Sequence, residues 1–220
     1  MTPKQLVESR GYAVLPSFHP ALSPTDAASV LGTPEMVEGL RLVHELVPMT
    51  PDLTTPNTYS GNFGLGSFPL HTDLAHWAKP PRYLMLRCAV GDPEIETNLI
   101  DARLLVESVG SSMLSRCLAQ PRRPINGALQ LLPIWQPETA SQRQLIRWDS
   151  IYLRPANDYA QGVFQRVADW LSAAQSNKQV LLDQGDTLLL DNWRMLHGRS
   201  AASSSASSRK VHRLYLDSLI

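Results

Sequence analysis

Apolar positions along this chain fall mostly into short runs broken by turn-forming residues. Runs at residues 12–15, 41–47, 83–90, 179–183, 187–191 and 212–217 are rich in leucine, valine and tyrosine, which predicts strands. Gln184-Gly185-Asp186, between two of these runs, has the composition of a tight hairpin turn. Windows with helical periodicity are fewer. One covers residues 101–109, and another covers 159–174, where Val163, Phe164, Val167, Trp170 and Leu171 fall on one stripe. A third helix is predicted over 23–31, with Ser23 or Thr25 as its cap. Many short strands and a few helices predict a mainly β fold, a sandwich or jelly roll with flanking helices.

Composition narrows the function more than the fold. Seventeen prolines against twelve glycines agree with many short extended segments. The 220 residues fit one domain, 1–220, that buries a core without staples. Lys plus Arg number 20 and Asp plus Glu number 20, so nothing draws the chain as a whole to nucleic acid or an anionic membrane, and a small-molecule partner is expected. Cys88 and Cys117 sit in apolar stretches and form no disulfide framework. The opening MTPKQLVESRGYAVL carries Lys4, Glu8 and Arg10 where a signal peptide would need apolar residues, and no run approaches membrane-spanning length. A cytoplasmic location is the expectation. The SAASSSASS stretch at 200–208 has nothing to bury and is expected to be a flexible loop.

Chemistry concentrates in two places. In Ser67-Phe68-Pro69-Leu70-His71-Thr72-Asp73, an imidazole and a carboxylate two residues apart on an extended segment would face the same side. His197 follows the apolar run at 187–191 and can supply a third ligand. Two histidines and one carboxylate cover one face of an octahedral ion and leave positions open for a co-substrate and dioxygen. His-x-Asp alone is a weak signal, more often a turn feature than a ligand pair. His76 lies at odd steps from both ligands and is read as substrate-facing or as packing, and His19 and His44 are read as structural. Downstream, Arg209 and Arg213 are four residues apart on a strand-like segment and so share a face, and a guanidinium is the natural clamp for a carboxylate. Gly61-Asn62-Phe63-Gly64-Leu65-Gly66 lacks a following helix start and is read as a loop over a pocket mouth. Trp193 is read as core and Arg194 as a surface charge.

Taken in order, His71-Thr72-Asp73, Asp191-Asn192-Trp193-Arg194-Met195-Leu196-His197-Gly198-Arg199 and Arg209-Lys210-Val211-His212-Arg213 resemble the taurine dioxygenase-like branch of the 2-oxoglutarate oxygenases, near the clavaminate synthase-like and gamma-butyrobetaine hydroxylase-like enzymes. Arg147-Trp148-Asp149-Ser150 and Leu153-Arg154-Pro155-Ala156 add to the likeness. The resemblance implies a double-stranded β-helix (jelly roll, cupin-like) core and Fe(II) held by His71, Asp73 and His197. It also implies 2-oxoglutarate anchored by Arg209 with help from Thr97, Arg213 near co-substrate or substrate, and O2 as oxidant.

The implied reaction releases succinate and CO2 and hydroxylates a small anionic or zwitterionic metabolite. Desaturation, ring closure and demethylation use the same iron, whereas Asp73 occupies the position a halide would need. Asn62, His76, Trp77, Arg199 and Arg213 are the substrate-facing candidates. Members of the branch are usually longer, so a second subunit could supply a lid and a homo-oligomer stays open. Two rivals remain, a zinc hydrolase on the same ligands and a non-catalytic small-molecule binding protein on the same scaffold.

Overall fold

Leucine-rich strands buried on both faces form the centre of the fold in the computed structural model, which describes residues 1–140, 143–203 and 208–220. Within the Ser/Ala stretch expected to be flexible, residues 204–207 lie outside the described residues. A six-stranded antiparallel sheet runs in the order Tyr12–Leu15, Thr187–Asp191, Tyr83–Val90, Lys210–Leu219, Gly32–Pro34, with His44–Leu46 also paired to Lys210–Leu219. Opposite it lies a four-stranded antiparallel sheet, Asn177–Val180, Glu96–Asp101, Met195–Arg199, Phe68–His71. The architecture is mainly β with helices, built from several antiparallel sheets.

The period of two explains the layers. Leu84, Leu86, Leu188, Leu190, Val211 and Tyr215 point to one side of the larger sheet and pack with Leu99 and Met195 of the smaller one. Met85, Leu189, Leu214 and Leu216 point the other way, onto Val7, Ala28 and Leu31 of the helices Pro3–Arg10 and Pro24–Leu31. A continuous apolar run is what such a doubly buried strand requires, and each fully buried leucine contributes roughly 2 kcal/mol. The outer face of the smaller sheet, with Ile100 and Leu196, is covered by Ala102–Val109, Ser111–Arg116 and Asp158–Ala173. Each helix of eight or more residues starts on a side-chain cap, Thr2, Ser23, Asp101 or Asn157. Among the described residues no helix is long and apolar enough to cross a membrane.

Two expectations are corrected and one helix is added. The run at 179–183 and the strand Thr187–Asp191 are not a hairpin: the first becomes Asn177–Val180 of the smaller sheet, and Gln184-Gly185 turns the chain across to the larger one. Asp186 fixes that crossing, its carboxylate accepting from the main-chain N–H groups of Ser17, Leu182 and Asp183. The helix Pro3–Arg10 was not foreseen, although Thr2 and Gln5 form a capping box and Gly11, at φ 85°, closes its end. Arg194 is not a surface charge. It is buried, donates to Asp101 Oδ2 at 2.6 and 3.0 Å and to the carbonyls of Glu8 and Ser9, and so ties the first helix to the Asp101 cap.

Removing that tie, Arg194→Met is expected to lower the unfolding free energy by about 3 kcal/mol at neutral pH, read from urea melts. Burial pushes the Asp101 carboxyl up, but hydrogen bonds from Arg194 and Arg103 bring it below its ordinary value. Its ionised form therefore contributes stability that is fully present above about pH 4 and is lost as the pH falls through the lowered folded value. The margin of wild type over Asp101→Asn is expected to shrink over that acid window.

Candidate metal centre

Strand register brings the two imidazoles together. His71 and His197 are direct partners on neighbouring antiparallel strands, and opposed residues project from the same face. Leu99 opposes His197 on the other flank, and Thr97 opposes Arg199, so Thr97, His71, His197 and Arg199 all face the gap between the sheets. The register slips between His197 and Arg199, where a Cβ on Gly198 would come within 2.6 Å of the Phe68 carbonyl oxygen. Glycine is what lets these strands close there.

Asp73 arrives differently from the sequence argument. The strand ends at His71, and Thr72 leaves it by pairing with Trp148, through Thr72 N–H to the Trp148 carbonyl at 2.8 Å and Trp148 N–H to Thr72 Oγ1 at 3.1 Å. Asn192, fully buried, then clamps the main chain of Asp73. Its Oδ1 accepts from the Asp73 N–H at 2.7 Å, and its Nδ2 donates to the carbonyls of Asp73 at 3.0 Å and Pro81 at 2.9 Å. Leu74 follows in the left-handed region at φ 55°. Beyond it, the fully buried guanidinium of Arg147 holds the carbonyls of Ala75, Trp77 and Ala78.

The result is a compact donor set. Asp73 Oδ1 lies 3.3 Å from His71 Nε2 and 3.4 Å from His197 Nε2, and the three donor atoms all lie within 4.8 Å of one another. The other carboxylate oxygen, Oδ2, accepts from the Tyr215 hydroxyl at 2.8 Å and Arg213 Nη1 at 3.1 Å, which turns Oδ1 toward the histidines. His71 Nδ1 donates to the Pro69 carbonyl at 2.9 Å, leaving Nε2 free to ligate. The Tyr59 ring stacks on His71 at 4.2 Å, and its hydroxyl donates to Asp149 Oδ2. Burial would raise the Asp73 carboxyl, but Arg213, His197 and His71 hold it well below the usual carboxylate range. Burial and the neighbouring His71 lower His197. The set is therefore an ionised carboxylate beside at least one neutral imidazole, which suits a divalent cation.

In front of the donors lies a cavity of about 330 Å³ bordered by Thr97, Leu86, Val211, Arg209, Arg213 and the Glu45–Met49 segment among others. Arg209 is buried, its Nε has no hydrogen-bond partner, and burial lowers its pKa. Arg199 borders the cavity too, but its guanidinium is engaged by the carbonyls of Gly64, Gly66 and Ser200 and lies 3.7 Å over the Phe68 ring. The Gly-rich stretch that Arg199 pins is a short helix, Tyr59–Phe63, and a turn, rather than an open loop.

Not all the sequence candidates meet here. Trp77 packs on the core and Asn62 is exposed, its Nδ2 donating to the Thr58 carbonyl, so neither borders this cavity. Asn62 and His76 instead border a second cavity nearby. Tyr215, Asn192, Tyr59 and Arg147 are the residues at the centre whose parts were not foreseen. Only Tyr215 had a usable signal, since it lies two residues from Arg213 on a strand.

No family model matches the sequence, and no curated protein does. Solved structures do match. PvcB from Pseudomonas aeruginosa, described as an Fe, alpha-ketoglutarate dependent oxygenase from an isonitrile synthetic pathway, superposes with a TM-score of 0.68 at 19% identity, over 97% of this chain and 78% of that one. The fold is that of the iron- and 2-oxoglutarate-dependent oxygenases. OrfP, a non-heme iron oxygenase solved with Fe and alpha-ketoglutaric acid, shares this oxygenase fold at a TM-score of 0.64 and 17% identity, over 97% of this chain and 77% of its own. Asparagine oxygenase, solved with Fe(II), 2S,3S-3-hydroxyasparagine and succinate, gives 0.63 at 19% identity over 80% of this chain. The chain spans 56% of the length of that asparagine oxygenase.

Because Tyr215 orients Asp73 without touching the donor atoms of the histidines, Tyr215→Phe is expected to keep the oxygenase fold and to weaken Fe(II) binding about tenfold in an anaerobic titration. Unchanged affinity would mean that Arg213 alone orients the carboxylate.

Proposed function

We propose that the chain is an Fe(II)- and 2-oxoglutarate-dependent oxygenase, acting as one domain over residues 1–220 with a double-stranded β-helix (jelly roll) core, in the cytoplasm, on a small anionic or zwitterionic metabolite. The observation that carries this reading is the convergence of His71, Asp73 and His197 at one end of a cavity bordered by a buried Arg209 that has no hydrogen-bond or ion-pair partner among the described residues. A buried guanidinium without a counter-ion is costly, and a dicarboxylate co-substrate offsets that cost. The donor set fits the metal, and the cavity fits the co-substrate.

In this reading His71 Nε2, His197 Nε2 and Asp73 Oδ1 hold Fe(II). Arg209 binds the distal carboxylate of 2-oxoglutarate, and the Thr97 hydroxyl assists it. When bound, the iron with 2-oxoglutarate and O2 supplies the oxidising power, splitting 2-oxoglutarate to succinate and CO2 and placing one oxygen atom in a substrate C–H bond. The chain itself contributes position and dryness. Arg213 and Tyr215 keep Oδ2 turned away from the metal side, and Leu86 and Val211 exclude water beside the cations. The neighbours' small-molecule ligands, hydroxyasparagine among them, support a metabolite substrate. A zinc hydrolase would use the same three donors, but it leaves Arg209 without a task.

Purified protein given Fe(II), ascorbate and 2-oxoglutarate is expected to release succinate slowly before any substrate is added. Arg209→Ala is expected to raise the KM for 2-oxoglutarate roughly a hundredfold while leaving Fe(II) affinity unchanged. Succinate release that is absent in wild type, or hydrolytic activity with zinc that survives Arg209→Ala in full, would decide for the rival.

A further inference from the structure

The cations around the iron-facing cavity are already committed. Arg199 is held by three main-chain carbonyls and Arg213 by Asp73, and on the oxygenase reading Arg209 takes 2-oxoglutarate. Among the described residues no arginine bordering that cavity is left for an anionic substrate. A second cavity, about 510 Å³, lies alongside, and Tyr152 borders both.

Its lining is positively charged. Arg122 and Arg123 project from the end of the Leu118–Pro121 strand, and no carboxylate borders the space among the described residues. Arg122 is fixed by its own N–H, which donates to the Tyr152 carbonyl at 2.9 Å, while its Nη2 makes only a long 3.4 Å contact to the Ser150 carbonyl. Arg123 has no hydrogen-bond or ion-pair partner among the described residues. His76 adds a buried Nδ1 with no partner, its ring 5.0 Å from that of Tyr152. Tyr152 is in turn held by its hydroxyl, which donates to the Asn57 carbonyl at 2.8 Å. Two exposed guanidiniums with no carboxylate on the cavity wall among the described residues, beside an imidazole whose buried Nδ1 has no partner, open next to the donor set and make a receptor for an anion.

Resting on the oxygenase reading, we propose that this second cavity binds the anionic group of the primary substrate, a carboxylate or a phosphate, through Arg122, Arg123 and His76, while the reacting carbon lies past Tyr152 in the iron-facing cavity. Arg122 and Arg123, rather than Arg199 and Arg213, then set the charge preference of the enzyme.

The test titrates the full chain, loaded anaerobically with Fe(II) and 2-oxoglutarate, with O-phospho-L-serine, N-acetyl-L-leucine and the neutral N-acetyl-L-leucinamide, by calorimetry and by the arginine Nε–H signals in NMR. At least one anion is expected to bind saturably and to shift the signals that vanish in Arg122→Ala and Arg123→Ala. In the double variant its affinity is expected to fall about tenfold or more, with 2-oxoglutarate binding unchanged and part of the affinity recovered by lysine at both positions. The tighter of the two anions distinguishes phosphate from carboxylate. Failure of both anions to bind wild type, equal binding to the double variant, or equal binding of the amide overturns the proposal. Failure of wild type to bind Fe(II) and 2-oxoglutarate in the same cell is a separate outcome, and it overturns the oxygenase reading itself and this proposal with it.

Discussion

The two oxygens of the Asp73 carboxylate have different environments, and the site depends on that difference. A carboxylate beside two imidazoles can rotate, pair with either, or take up a proton. Here Oδ2 is saturated by a phenol and a guanidinium, so Oδ1 alone faces His71 and His197. The partners come from opposite walls of the molecule. Arg213 and Tyr215 stand on the inward face of the larger sheet, and the histidines stand on the inward face of the smaller one. Asp73 is therefore also a polar link between the two sheets, beside an inter-sheet core that includes Leu84, Leu86, Leu188, Leu190 and Met195. An unsatisfied charge there would destabilise the fold as well as the site.

The arginines divide the remaining work by what their forks can reach. Among the described residues Arg147 donates to main-chain carbonyls alone, and burial lowers its pKa to about 10, so it acts as a bracket for the loop after Asp73. Arg199, also lowered to about 10 by burial and by Arg209, brackets the glycine-rich turn in the same way. Arg213 faces a carboxylate and keeps its charge easily. Among the described residues Arg209 has no hydrogen-bond or ion-pair partner, and it lies next to the donor set on the border of the same cavity, which leaves its buried Nε open to a bound anion.

Much of this was legible in the sequence, and the rest failed for identifiable reasons. Strands 83–90 and 187–191 appeared with their observed bounds because a doubly buried strand needs an unbroken apolar run, and helix 101–109 because its cap and stripe are both local. The hairpin reading failed because turn composition does not say which sheet each flanking run joins. Arg194 was misread because its partners, Asp101 and two carbonyls of the first helix, are distant in sequence. Asn192 carries no pattern of its own. A side-chain amide that mimics a neighbouring strand's main chain is visible only once Asp73 lies beside it. The expectation that Arg209 clamps a carboxylate rests on family resemblance and on side-chain chemistry, whereas its lack of a partner among the described residues is visible only in the fold.

Leu74 shows how firmly the centre is set before anything binds. A branched side chain in the left-handed region costs about 1 kcal/mol or more, and such a conformation persists only where its surroundings over-determine it. At Leu74 they do: Asn192 grips the main chain immediately before it, and Arg147 grips three carbonyls immediately after. Relaxing the strain would break the Asn192 pair or strand a buried guanidinium, and either loss exceeds what the relaxation returns. The chain therefore keeps Asp73 turned toward the histidines by fixing the backbone on both sides of a residue that would otherwise prefer to unwind, so that folding alone establishes the geometry of the three donors.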